Sequence, residues 1–341
     1  MEQGITLAGN IVIDHNREVD RYPNHSTLVK VNKIYNTIGG AVSNSGISLA
    51  RINPKLPIKL LGLIGNDADG EFILDEFSKY PNIDTENISY SDLPTSFTDV
   101  ISDVTNNTRT FFNYSGADSK IGPEHFNFSK LKTDILHIGY VLLLEVLDSE
   151  DEEFGTKMAR VLNEAQQNGI KTSIDVVTED SDRFSKIVPS AIKYTNFCII
   201  NEEEAGRTVN INPRKSNGNL DLENCKIICE KLFEIGVKDW VVIHAREGGI
   251  GMDSAGNFVL KAALAIAPEQ IKGTTGAGDA FLAGVLYGAY SQYDLEKAVK
   301  LGIASSNASI LEEGPTAGVK SETELWNFYN NMPKEDWEGF Y

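Results

Sequence analysis

The sequence predicts an α/β protein with a mostly parallel core sheet and a second, smaller sheet projecting from it. Two observations carry this reading. Short apolar runs rich in β-branched residues alternate with longer stretches of helical periodicity, and two regions of strict apolar/polar alternation interrupt that rhythm. The clear strands are Ile135 to Val141, Lys171 to Val177, Phe197 to Asn201 and Trp240 to His244, with helices such as Lys157 to Asn168 and Leu220 to Ile235 between them. Strands joined through crossover helices must run parallel. Ligand groups in such sheets lie just past strand C-termini, which singles out Asp175, Asn201 and Glu204.

The interrupting regions are residues 11–36 and 93–114. Ser96-Phe97-Thr98-Asp99-Val100-Ile101 and Thr108-Arg109-Thr110-Phe111-Phe112-Asn113 flank the turn-forming Asn106-Asn107, the pattern of an antiparallel hairpin. Such strands do not easily join a parallel core. They are expected to form a small β-sheet lid, leaving 1–10, 37–92 and 115–341 as the α/β core. No internal repeat is evident, and Asp148 to Glu153 reads as a solvated acidic turn rather than a metal loop.

With 31 Lys and Arg against 49 Asp and Glu, the chain carries a formal charge of −18. Neither duplex nucleic acid nor an anionic membrane is an expected partner, because both attract basic surfaces. An apolar fraction of 41% excludes wholesale disorder. The acidic Glu2 leaves no basic leader, and no run approaches the ~18 apolar residues of a spanning helix, so the chain reads as cytoplasmic. Cys198, Cys225 and Cys229 form no CxxC pair and are expected to be buried structural thiols.

The most informative segment is Gly273-Thr274-Thr275-Gly276-Ala277-Gly278-Asp279-Ala280-Phe281, running straight into the apolar helical stretch Leu282 to Tyr290. Small residues let backbone N–H groups approach a ligand, and the helix dipole adds positive potential, so the turn can hold an anion. Asp279 in the first helical turn does not recruit that anion, but it can accept the proton of a hydroxyl attacking a phosphoryl group. The same residues would also suit a tight turn with Asp279 as a helix cap. No Gly-Lys-Ser/Thr follows, which excludes a P-loop, and the spacing is not that of a dinucleotide fingerprint.

Gly276-Ala277-Gly278-Asp279-Ala280-Phe281 after Thr274-Thr275 resembles the C-terminal signature of the ribokinase-like, or PfkB-type, carbohydrate kinases, and the resemblance extends from Gly9-Asn10 to about Gly318. It implies a three-layer α/β/α sandwich and transfer of phosphate from ATP with Mg2+ to a sugar hydroxyl. Asp279 would be the base and the 276–278 amides the anion hole. Asn201-Glu202-Glu203-Glu204 resembles the family's Asn-x-x-Glu motif, whose members organise magnesium, with Glu204 acting through water; a helix start with acidic first residues would read the same way. Gly9 to Asp14 resembles the opening strand that ends in a sugar-binding aspartate, and Gly39, Gly40 and Asn44 resemble the rest of the sugar pocket, to which Arg109 of the lid is added. Thr274, Gly248 in His244-Ala245-Arg246-Glu247-Gly248, and Asn307 match the nucleotide side, while Gly62, Gly65, Asp67 and Gly70 match a structural glycine-rich stretch.

Departures accompany the matches. Val42, Gly46 and Asn53-Pro54 make the sugar side atypical. Gly273 stands where potassium-activated members carry an aspartate, with Lys272 beside it, which argues against a monovalent cation unless Glu269 or a carbonyl restores the site. His244 reads as a structural residue at a strand end. A nucleoside kinase on the same fold is the second reading, with Phe97, Phe111, Phe112 and Tyr114 as an aromatic base-binding surface. A sugar-sensing pseudokinase is a third, disfavoured by the retained Asp279. Apolar Ile34, Phe97, Val104 and Phe111 on the lid need a cover, and the family's habit of pairing lids implies a homodimer.

Overall fold

The computed structural model describes residues 3–106, 108–179 and 183–336; Glu2 and Asn107, which the sequence reading assigns to a turn, lie outside them. The chain runs through β1 (Ile5–Gly9), β2 (Val12–Val19), β3 (Val31–Gly39), α1 (Ala41–Ile52), β4 (Ile58–Gly65), α2 (Ala68–Ser78) and β5 (Ile83–Ser91). There follow β6 (Phe97–Asp103), β7 (Thr108–Tyr114), β8 (Ile135–Val141), α3 (Glu145–Asp148), the short pair β9 (Glu150–Asp151) and β10 (Gly155–Thr156), and α4 (Lys157–Gln167). The remainder comprises β11 (Lys171–Val176), α5 (Phe184–Ile192), β12 (Phe197–Asn201), α6 (Glu202–Val209), α7 (Leu222–Ile235) and β13 (Trp240–Ala245). It closes with β14 (Gly248–Asp253), β15 (Phe258–Ala262), α8 (Ala277–Tyr290), α9 (Leu295–Ser309) and α10 (Glu322–Asn331).

Among the described residues nine strands form the large sheet, in the order β15-β14-β13-β12-β11-β8-β1-β4-β5. From β5 to β13 every pairing is parallel, and only β14 and β15 at one edge turn back antiparallel. Side chains alternate between the two faces, as the period of a strand requires. Ile5, Leu7, Phe197, Ile199 and Val242 enter a core shared with α1, α2, α8, α9 and α10. Ala8, Cys198, Ile200, Val241 and Ile243 enter a second core with α4, α5, α6 and α7. The result is a three-layer α/β/α sandwich.

The interrupting regions form a separate sheet in the order β3-β2-β6-β7. Two antiparallel hairpins lie side by side, joined by a parallel β2–β6 pairing that the alternation pattern does not foretell. Asp14 consequently lies within β2 of this sheet, not at the end of the opening strand, which stops at Gly9. Val104 lies in the turn after β6 rather than on a strand.

All three cysteines are free and buried, Cys225 and Cys229 one turn apart on α7. The acidic turn is not wholly solvated: Asp148 is buried at the end of α3, where it accepts the Leu144 N–H at 3.0 Å, and burial pushes its carboxyl up to about 7. Asp67 caps α2 and also holds Thr95 through its backbone and hydroxyl, so the Gly62–Gly70 stretch is structural as expected.

Candidate active site

α8 begins where its sequence stops supplying side chains. Gly276 is the N-cap at φ +79°, and a Cβ there would lie 2.4 Å from Pro315 Cβ, so the turn is restricted to glycine by both conformation and space. Asp279 follows in the first turn and does not cap the helix. Its carboxylate instead accepts the Asn44 amide of α1 at 2.9 Å and the Tyr140 hydroxyl of β8 at 3.0 Å from each oxygen. The group is 5% exposed, and burial raises it to about 6 while the two donors pull the other way.

Around Asp279 a cavity of about 290 Å³ is lined by Tyr140, Asp175, Thr178, Asn201, Glu204, His244, Gly276 and Gly278. Apart from the two glycines, which open α8, these residues stand at the C-terminal ends of β8, β11, β12 and β13 or just beyond them, where an open parallel sheet binds its ligands. A cavity of about 710 Å³ lies at the opposite end of the strands, by Asp134 and Lys171, and contains none of these groups.

Asn201 and Glu204 form a reciprocal cap. Asn201 accepts the Glu204 N–H at 2.9 Å, and Glu204 accepts the Asn201 N–H at 3.0 Å and its side-chain amide at 2.6 Å. Thr178 donates to the same carboxyl at 2.8 Å. Glu202 turns away to Arg214 and Glu203 is exposed, so Glu204 alone of the three glutamates faces the cavity. Burial pushes it to about 7. Asp175 is pushed well up by burial and by the charges of Asp279 and Glu204. His244 is held neutral, lowered by burial to about 4, and its ring packs on Phe281.

Asp14 lies against Gly39, where a Cβ would stand 2.7 Å from its carboxylate. Burial raises it to about 6, while His15 and Arg109 pull it down. Gly40 caps α1 and leads to Asn44, which links this cluster to Asp279. Arg109 crosses from β7 to donate to the Thr275 hydroxyl at 3.1 Å, bringing the small sheet onto the glycine-rich loop. Thr274 closes the turn through its carbonyl, which accepts the Ala277 N–H. Gly248 and Asn307 are not part of the Asp279 cavity. Gly248 packs on the Lys261 backbone, and Asn307 accepts the Leu264 N–H at 2.6 Å. At Gly273 a Cβ would meet nothing within 4 Å, and Lys272 turns outward to Glu312 at 2.7 Å rather than toward the loop.

Tyr140 and Thr178 have no counterpart among the residues singled out from sequence. Tyr140 ends a parallel strand, the same position that drew attention to Asp175. An aromatic residue in a strand reads first as core, and that masked it.

The sequence matches the family described as pfkB family carbohydrate kinase over residues 3–322. The nucleoside kinase of Methanocaldococcus jannaschii is 26% identical over 316 residues, covering 91% of each chain. The 5-dehydro-2-deoxygluconokinase of Geobacillus kaustophilus is 22% identical, covering 94% of this chain and 91% of that one. The structure of Arabidopsis thaliana ribokinase complexed with ribose and ATP superposes with a TM-score of 0.80 at 18% identity, over 96% of this chain and 99% of that one.

Proposed function

The chain belongs to the pfkB family of carbohydrate kinases and is a phosphotransferase acting on an alcohol group, and on that premise we propose that it carries the γ-phosphate of ATP to a sugar hydroxyl with Asp279 as base. One observation supports this above the others: a buried carboxylate stands in the first turn of a helix whose glycine N-cap leaves its amides open to an anion. The acceptor oxygen attacks the γ-phosphorus, the bond to the β-phosphate oxygen breaks, and the hydroxyl proton passes to Asp279, giving a sugar phosphate and ADP. The amides of residues 276–278 face the transferring group. In this proposal Asp14, Gly39, Gly40, Asn44 and Arg109 hold the sugar, the small sheet serves as its lid, and Thr274, with Gly248 and Asn307 outside the Asp279 cavity, serves the nucleotide.

The cavity suits a magnesium ion. Asp175, Glu204 and Asp279 line it together, the charges of Asp279 and Glu204 raise Asp175, and no Lys or Arg is among its lining residues in the described part of the chain. Glu204, through water, and Asn201 would hold the ion, which supplies charge neutralisation for the phosphates. A cytoplasmic location is the proposal that an ATP donor and three free cysteines support.

A nucleoside acceptor is the second reading. Strand register puts Tyr35 and Phe111 on the same face of the small sheet as Asp14 and Arg109, available to stack on a base. Phe97, Phe112 and Tyr114 lie on the other face, so the aromatic surface is narrower than the sequence suggests. That other face also carries Ile34, and with Phe112 it offers an exposed apolar surface through which two copies pair as a homodimer. Measuring ADP release across a panel of sugars and nucleosides tests the proposal. Turnover of a sugar supports it, turnover confined to nucleosides selects the second reading, and no turnover with any acceptor points to a pseudokinase.

A further inference from the structure

β8 carries one residue more than β11 where the two strands end. Ile138 pairs with Ile174 and Val141 with Val176, so Gly139 and Tyr140 together face Asp175 alone. This is a β-bulge, a distortion that re-aims side chains beside functional sites. Tyr140 occupies it at φ +51°, a left-handed conformation uncommon for a residue with a bulky side chain. Asp175 Oδ1 holds the bend by accepting the Tyr140 N–H at 2.8 Å. The consequence is a phenol turned onto the proposed base, its hydroxyl 3.0 Å from each oxygen of Asp279. Asn44 holds Oδ2 from another direction at 2.9 Å.

We propose that Tyr140 is a positioning residue for Asp279, its hydroxyl fixing the plane of the carboxylate so that a lone pair stays directed at the acceptor hydroxyl. The inference rests on the kinase reading above. A carboxylate held by a single amide can rotate about its Cβ–Cγ bond, whereas two donors on different elements define its plane. Backbone strain of this kind persists only where surrounding contacts enforce it, and here the Asp175 bond does so.

The hydroxyl also favours the charged form of Asp279, because a donor to a carboxylate stabilises the anion. The titratable groups facing Asp279 are Tyr140 on β8, Asp175 on β11, Glu204 on α6 and His244 on β13, with Arg109 of β7 reaching the preceding loop at Thr275. Asp175 is raised by the charges of Asp279 and Glu204, burial is what raises Asp279, and His244 is neutral. Burial and these carboxylates push the phenol well above its ordinary range, so it remains a donor at neutral pH.

Tyr140→Phe keeps the ring and deletes the donor. We expect the acid limb of its kcat/KM profile to move up by about one pH unit. Above that limb, kcat should stay about tenfold below wild type, with KM for ATP unchanged. A second readout needs no turnover: the pH at which the thermal stabilities of Tyr140→Phe and Tyr140→Phe/Asp279→Asn diverge reports the titration of Asp279, for comparison with the same difference in the wild-type background. A higher midpoint in the Tyr140→Phe background supports the proposal. An unmoved midpoint with unchanged kcat overturns it and leaves the phenol a packing group. If the wild type phosphorylates no acceptor, the kinase reading fails, while the stability difference still decides whether Tyr140 holds Asp279.

Discussion

Replacing Asp279 by Asn should move activity and stability in opposite directions, which separates the chemistry of the site from its packing. Burial raises this carboxyl from 3.8 to about 6. A shift of two units corresponds to ~3 kcal/mol by which the folded state disfavours the ionised group, an upper figure for a single site. The sign follows from proton counting. Between pH 4 and 6 the folded chain holds a proton that the unfolded chain has lost, so stability falls as pH rises through that window, and the penalty is complete above it. Asn does not titrate and escapes the penalty. It also fits the existing hydrogen bonds: its carbonyl can accept from Tyr140, and its NH2 can meet Asn44 Oδ1, a buried atom with no partner among the described residues. Thermal unfolding from pH 4 to 8 should show the variant melting roughly 2–5 °C higher at pH 7.5, with the gap closing near pH 4. Its kcat should fall by about 10²- to 10⁴-fold. Turnover near wild type would refute Asp279 as base, and a lower melting temperature at pH 7.5 would refute the burial argument.

The wild-type kcat/KM should fall about tenfold per unit below pH 6, as Asp279 takes up its proton; a profile flat to pH 4.5 would contradict a base with this titration. Light scattering should give ~75 kDa, twice the 37.5 kDa chain. Ile34→Glu with Phe112→Glu should halve that mass, since these residues are 68% and 52% exposed on one face of the small sheet. Adding potassium to enzyme in tetramethylammonium buffer should change initial rates by less than about tenfold, because Gly273 offers no charge to offset the dehydration of the ion; stronger activation would mean that carbonyls or Glu269 suffice.

Residues whose roles depend on backbone pattern were legible in the sequence. The strand from Ile135 to Val141 and the one from Phe197 to Asn201 match residue for residue, because buried parallel strands must be apolar throughout. The loop at Gly276 was legible because only glycine satisfies its geometry. What escaped is set by tertiary context. The parallel junction of β2 with β6 joins segments far apart in the chain and leaves no periodic trace in either. Asp148 belongs to an acidic run that resembles solvent-exposed turns elsewhere, and only the packing of α3 buries it. Tyr140 was hidden because a bulge arises from a mismatch between two strands, and neither strand alone records it.

The same tertiary context explains why the site is expensive in stability. Asp175, Glu204 and Asp279 converge from β11, α6 and α8 on one cavity, and each would titrate lower if it stood alone in water. Burial is the largest cause in all three cases, and each also sits among donors that favour its charged form: Tyr140 N–H for Asp175, Asn201 and Thr178 for Glu204, Asn44 and Tyr140 for Asp279. A fold selected for stability alone would replace these carboxyls with apolar groups of similar size. Their presence, with hydrogen bonds that hold each in a fixed direction, fits the proposed magnesium ion, whose positive charge would offset the repulsion among them and that of the phosphates. Tyr140 occupies the junction of two of these acids, its backbone N–H on Asp175 and its hydroxyl on Asp279, so one residue holds both carboxyls in place.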